Sequence, residues 1–197
     1  MAIDDKITSR EVIMNKLKTA HHSNVQRPVI PNYAVIGDRI ENFKKKLEGF
    51  DGKCLEFRDR SDAVRWLTDN IDMNSNVYSN IPEIHTDISA ESIVDPHDAN
   101  TIDVCIAEGN LGVGETGSIW VTNKSLGLAA AALFSTDLYL LLEKDKIVNG
   151  IHEAYENIEL GSTQYGSLFS GPSATADIEA VHITGAQGEI SLTALLY

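Results

Sequence analysis

At 197 residues the chain fits one domain with room for a real core, and 43% hydrophobic with 23% charged residues is ordinary for a soluble protein. The net charge of −13 is unevenly placed: residues 1–66 hold thirteen Lys/Arg against ten Asp/Glu, and residues 67–197 hold three against nineteen. So acidic a surface argues against nucleic acid as a partner, and the longest apolar run, Leu126 to Phe134, is too short to span a bilayer.

In chain order, the N-terminus has Asp4 and Asp5 and no apolar segment of the secretory kind, so the expected location is the cytoplasm. Thr8-Ser9-Arg10-Glu11 reads as a capping box, and Val12, Ile13 and Leu17 give the following helix an apolar edge ending near His21-His22. The adjacent histidines read as a solvated helix end. Ser23 to Asn32, with Pro28 and Pro31, breaks regular structure. The expected organisation is a helical arm and linker over residues 1–31, then an α/β domain over 32–197.

A second helix is predicted from Asp38 to Phe50, with Ile40, Phe43 and Leu47 inward, Lys44-Lys45-Lys46 solvated, and Gly49 and Gly52 helping to stop it. A strand from Lys53 to Arg58, a helix capped by Ser61 and a strand from Asn76 to Ile81 follow. Alternation at this spacing implies βαβ units around a mainly parallel sheet. Pro82 to Asn100 resists assignment; Asp95-Pro96-His97-Asp98 reads as a proline turn, and no metal site is expected.

Ile102 to Ala107 reads as a buried strand. Gly112-Val113-Gly114-Glu115-Thr116-Gly117 then spells a dinucleotide fingerprint, but that fingerprint needs a helix to start among its glycines. Ser118-Ile119-Trp120-Val121-Thr122 follows instead, which is strand chemistry, so the glycines are expected to shape a hairpin or bulge. A small-residue helix over 125–134, a strand over 138–143 and a helix over 147–158 complete the middle of the chain. Cys54 and Cys105 both sit in strand-like runs and are expected to be buried and reduced; two cysteines cannot supply the four thiolates of an iron–sulfur cluster, and no cofactor is expected.

Ser170-Gly171-Pro172-Ser173-Ala174-Thr175-Ala176-Asp177-Ile178-Glu179 follows the strand-like Ser167-Leu168-Phe169. Gly171 permits an abrupt turn, Ser173 and Thr175 can cap a following turn or short helix, and Asp177 and Glu179 suit its first turn. Strand, turn and capped helix start mark a binding site in an open α/β sheet. Val181 to Thr184, a turn at Gly185 and Gly188, and a strand from Ile190 to Tyr197 close the chain.

Together the acidic-Thr-Gly-Ser hairpin and the Gly-Pro-Ser-x-Thr-Ala-Asp-Ile-Glu segment resemble the LUD-domain family, named for lactate utilisation, whose best-known branch is lactate-utilisation protein C (LutC/YkgG). The resemblance covers roughly Asn32 to Tyr197. Where many members continue Gly-x-His-Gly-Pro, this chain has Gly185-Ala186-Gln187-Gly188-Glu189, so no histidine role carries over. The resemblance implies a three-layer α/β/α fold of the ribose-5-phosphate isomerase and CoA-transferase kind. It also implies a part in oxidation of lactate to pyruvate beside iron–sulfur partner proteins.

Three functions are open on this reading. The first is an accessory or ligand-binding subunit, in which Thr116, Gly117, Ser118, Ser170, Gly171, Pro172, Ser173, Thr175, Asp177, Glu179, Gly185, Gln187 and Gly188 hold a small organic acid or phosphorylated metabolite through hydroxyls and turn amides. The second is acyl or CoA transfer with Glu115 as carboxylate nucleophile. In the third, the basic N-terminal arm docks a partner and the remainder only supports it.

Overall fold

Strands buried on both faces need near-continuous apolar sequence, and three segments have it: Val104–Glu108 (β3), Asp137–Leu142 (β6) and Ser191–Leu196 (β11). In the computed structural model, which describes residues 8–20, 31, 37–159, 161, 165–175, 183–185 and 188–197, they lie side by side at the centre of a sheet. The shorter Lys53–Glu56 (β1) and Val77–Ser79 (β2) flank them. The order is β1-β11-β6-β3-β2, and every neighbouring pair is parallel.

Alternation along β6 sorts the core into two layers. Leu138, Leu140 and Leu142 join Phe43 and Leu47 of α2 (Arg39–Glu48) and Ala131 and Ala132 of α5 (Ala129–Phe134). Leu141 and the neighbouring Leu195 join Ala63 and Leu67 of α3 (Arg60–Asn70). Helices therefore cover both faces of a parallel sheet, the α/β/α arrangement expected from the alternating pattern.

A second sheet carries the hairpin. Leu111–Val113 (β4) and Ser118–Thr122 (β5) pair antiparallel, Ile147–Val148 (β7) runs parallel to β4, and Gly166–Phe169 (β8) pairs antiparallel with β5. Ile119, Val121 and Phe169 from this sheet enter the same core layer as Leu138. A two-residue ribbon, Ala174–Thr175 (β9) against Ile183–Thr184 (β10), stands apart.

The chain divides into two compact units, residues 1–34 and 35–197. In the first, Thr8 and Glu11 form the expected capping box ahead of α1 (Ser9–Thr19). Val12, Ile13, Met14 and Leu17 are all exposed on that helix. His21, His22 and the predicted linker, Pro31 apart, lie outside the described residues.

Several local expectations change, each for a visible reason. Asp59 rather than Ser61 caps α3, its carboxylate accepting the Asp62 amide at 3.0 Å. Lys44 is not solvated: it reaches Glu41 at 2.6 Å and Glu56 at 2.5 Å. The expected end of α2 does hold, with Gly49 as its C-terminal cap and the Gly52 amide turning back to the Leu47 carbonyl at 3.0 Å, and the left-handed residue between them is Asp51 (φ 62°). The predicted 125–134 helix is broken by Gly127 (φ 68°) into α4 (Asn123–Leu126) and α5. The predicted 147–158 helix gives up its first residues to β7, and α6 spans only Ile151–Asn157.

Candidate functional site

The turn between β4 and β5 is built on close approach. Gly117 has φ 65°, and a Cβ there would strike the Leu47 backbone of α2, while one on Gly114 would meet the Arg39 carbonyl at 2.8 Å. The glycines thus seat a hairpin on α2, and the residues behind them are strand. No dinucleotide-type helix begins there.

The amides of this turn are already used. Gly114 donates to Val148 O, Glu115 to Asn149 O and Gly117 to Val113 O, each at 2.8 Å. Of the residues expected to hold a ligand, Gly117 thus has its amide engaged within the hairpin. Glu115 is committed as well: its carboxylate accepts the Ile151 amide at 2.9 Å, at the first residue of α6. The negative charge there suits the positive end of the helix. A nucleophile needs a free, desolvated carboxylate, and Glu115 is an exposed cap.

The two sequence motifs do meet. Ser170 Oγ donates to the Thr116 carbonyl at 2.9 Å, and Ser118 Oγ donates to Thr116 Oγ1 at 2.8 Å. Gly171 follows with φ 82°, pressed so closely on the Phe50 carbonyl that any side chain would collide. The sharp turn expected at Gly171-Pro172 is present. Directly after it Ala174 and Thr175 are strand β9, paired with Thr184 and Ile183, and the turn or short helix expected to carry Asp177 and Glu179 lies outside the described residues. The preceding strand does not belong to the parallel sheet: β8 is antiparallel to β5 in the second one.

Beyond that turn the chain folds a second cluster. Ser173 N donates to the Glu189 carbonyl at 3.0 Å, and Gly185 N donates to the Ser173 carbonyl at 2.7 Å. Gly188 packs on Ser173, where an added Cβ would sit 3.0 Å from Ser173 Cβ and 3.3 Å from its Oγ. Thr116, Ser118 and Ser170 thus form one group, and Ser173, Gly185 and Gly188 another. Asp177, Glu179 and Gln187 lie outside the described residues.

The residue that sequence reasoning left out is Glu189. It is 4% exposed, and burial pushes its carboxyl up to about 7. A glutamate after Gly188 reads as a surface turn residue, and no local pattern signals its burial. Cys105 lies near enough for the Glu189 charge to raise its thiol further, after burial has already done so. Burial also pushes Cys54 up to about 12, so both unpaired cysteines are thiols at neutral pH rather than nucleophilic thiolates.

At the opposite, carboxyl end of the parallel sheet, where open α/β folds usually bind ligands, the charges neutralise one another. Arg60 donates to Glu108 at 2.7 Å, to Glu83 at 2.9 Å and to the Tyr197 hydroxyl at 3.0 Å. Lys144 donates to the Phe57 carbonyl at 2.9 Å beside Glu56. Asp95 caps its turn through the His97 amide and holds the His97 ring at 2.8 Å. Among the described residues no three His, Cys, Asp or Glu are placed to hold a metal ion, and no helix is long and apolar enough to cross a membrane.

A family model described as the LUD domain matches residues 58–197. Among solved structures, a DUF162 family protein from Deinococcus radiodurans matches with a TM-score of 0.61 at 13% identity, over 80% of this chain and 95% of that one. At that identity the likeness speaks for the fold. The search of curated proteins gave no match.

Proposed function

This chain belongs to the LUD-domain family, which is associated with lactate utilisation, and from that premise we propose that it is an accessory or ligand-binding subunit in the oxidation of lactate to pyruvate. It works in the cytoplasm beside iron–sulfur proteins of the LutC/YkgG kind of system, and its ligand is a small organic acid held at Ser170–Ser173 and beside Gly185 and Gly188. One observation carries the choice of binding over chemistry: the Glu115 carboxylate is spent on the Ile151 amide. With Glu115 acting as a cap, acyl transfer lacks its nucleophile. The two cysteines, both protonated thiols, leave electron carriage to partners.

A thermal-shift panel of L-lactate, pyruvate, sugar phosphates, nucleotides and acyl-CoAs tests the reading, because a ligand bound only by the folded state raises the melting temperature. Lactate or pyruvate is expected to raise it and acyl-CoAs to leave it unchanged. Stabilisation by acyl-CoA alone would overturn the assignment.

A further inference from the structure

Two apolar surfaces of this chain are exposed, one on each compact unit. The first is α1. An eleven-residue helix is marginal in water on its own propensity, and helices of that length are held by packing one face against something. α1 has such a face. Ile13 and Leu17 stand four residues apart and are more than half exposed, Val12 and Met14 are exposed beside them, and no residue of the helix is buried.

The second surface lies at the amino end of the parallel sheet, beside Gly185 and Gly188. Phe134, Ile183 and Ile190 are more than half exposed there, and Leu133 is exposed as well. The backbone brings the four together. The Ile190 amide donates at 2.8 Å to the carbonyl of Thr136, two residues beyond Phe134. The Leu133 carbonyl lies 3.5 Å from where a Gly188 Cβ would sit, and the Ile190 side chain lies against Gly185, two residues beyond Ile183. Exposed apolar side chains grouped in this way mark an interaction surface, whereas single ones do not.

Charge says what covers each. α1 carries Arg10, Lys16 and Lys18 against the carboxylate of Glu11, which is taken by the Thr8 amide at 2.7 Å and the Thr8 hydroxyl at 2.9 Å. Arg10 and Lys16 each stand three residues from Ile13, so cations flank the apolar edge. Two α1 helices laid face to face would bring like charges together. The amino-end surface is the reverse: residues 96–101, 129–137 and 183–191 include no Lys or Arg. The turn Pro96–Thr101, which packs against α5, presents the exposed Asp98.

We propose that α1 of one copy of this chain docks on the surface formed by Leu133, Phe134, Ile183 and Ile190 of a second copy, with Arg10 and Lys16 toward its acidic rim, and that the exchange is reciprocal. A twofold axis makes the two contacts alike and closes the pair, leaving neither apolar surface open for further growth.

Sedimentation velocity of the full chain at about 100 μM tests this, and a dimer is expected. Ile13→Glu with Leu17→Glu alters the helix, and Phe134→Glu with Ile183→Glu alters the sheet end. All four side chains are more than half exposed, so circular dichroism and the melting temperature should stay near those of the parent. Each pair of substitutions is expected to weaken association about a hundredfold and leave a monomer. Mixing the two monomeric variants should restore a dimer, because the intact helix of one meets the intact surface of the other. A parent chain that stays monomeric, as it would if α1 were satisfied within its own chain, would overturn the proposal. A dimer that survives the sheet-end substitutions would point to helix-on-helix contact, and one that survives the helix substitutions to surface-on-surface contact; either result overturns the exchange. So does a mixture that stays monomeric.

Discussion

The two ends of the parallel sheet treat charge in opposite ways. At the carboxyl end Arg60 gathers Glu83, Glu108 and Tyr197, and Lys144 and Lys44 share Glu56, so each cation there has an acidic partner. At the amino end Glu189 and Ser135 are buried; among the described residues no cation pairs with the Glu189 carboxyl, and the Ser135 hydroxyl has no hydrogen-bond partner. An ion-pair network is self-sufficient and gives a ligand little to replace. Unpaired buried groups are costly until something binds, so the less stable end is the better candidate for function.

The sharpest way to break this comparison is to remove the titration at the amino end. Glu189 in the fold is raised to about 7 from the ordinary 4.5, so the folded state holds its proton over a pH range where the unfolded chain has released it. Below 4.5 the carboxyl costs nothing; from there stability drains away as pH rises, and the full penalty stands above 7. Two and a half units correspond to roughly 3 kcal/mol. Glu189→Gln is therefore expected to raise stability by about that amount at pH 8 and to change little at pH 4.5. Urea unfolding at both values is the check, and an equal effect at both would mean that the carboxyl is not desolvated.

The carboxyl end should respond with the opposite sign. Arg60→Ala strands Glu83 and Glu108 without their cation, and the Arg60 side chain is only 28% exposed. A partly buried network of this kind is expected to lose about 2 kcal/mol, less than a fully buried pair because solvent screens part of it. The loss should persist from pH 6 to 8, where the carboxylates remain ionised. Recovery of stability in the Arg60→Ala, Glu108→Gln double variant would place the cost in the stranded charge rather than in lost packing.

Much of this architecture was legible in the sequence because local and tertiary preferences agree. The apolar runs of β3, β6 and β11, the Thr8–Glu11 box and the strand chemistry after Gly117 all point the same way. Legibility stops where a distant contact decides. Ala174 and Thr175 become strand only because Ile183 and Thr184 pair with them, a partner no local rule supplies. Gly127 breaks the small-residue helix beside Tyr78 and Asn80, whose side chains take the Leu126, Lys124 and Ser125 carbonyls. Glu189 is hidden for the same reason, since its burial follows from where Ser173 and Thr136 bring the chain.

Glu115 offers the smallest effect and separates cap from nucleophile. As a cap, the carboxylate holds the Ile151 amide and adds negative charge at the start of the seven-residue α6. Glu115→Gln keeps an oxygen that can accept the same hydrogen bond and loses only the charge, so stability should fall by about 0.5 kcal/mol, the scale of a charge at a helix end. Hydrogen exchange at Ile151 should quicken slightly while the rest of the fold is unchanged. A nucleophile predicts something different: no stability effect, but loss of a covalent intermediate. Incubating the parent protein with acyl-CoAs and measuring intact mass, with and without hydroxylamine, is expected to show no adduct. A hydroxylamine-sensitive adduct on Glu115 would mean that the Ile151 contact opens during turnover, and the carboxylate would then belong with the unpaired groups rather than the paired ones.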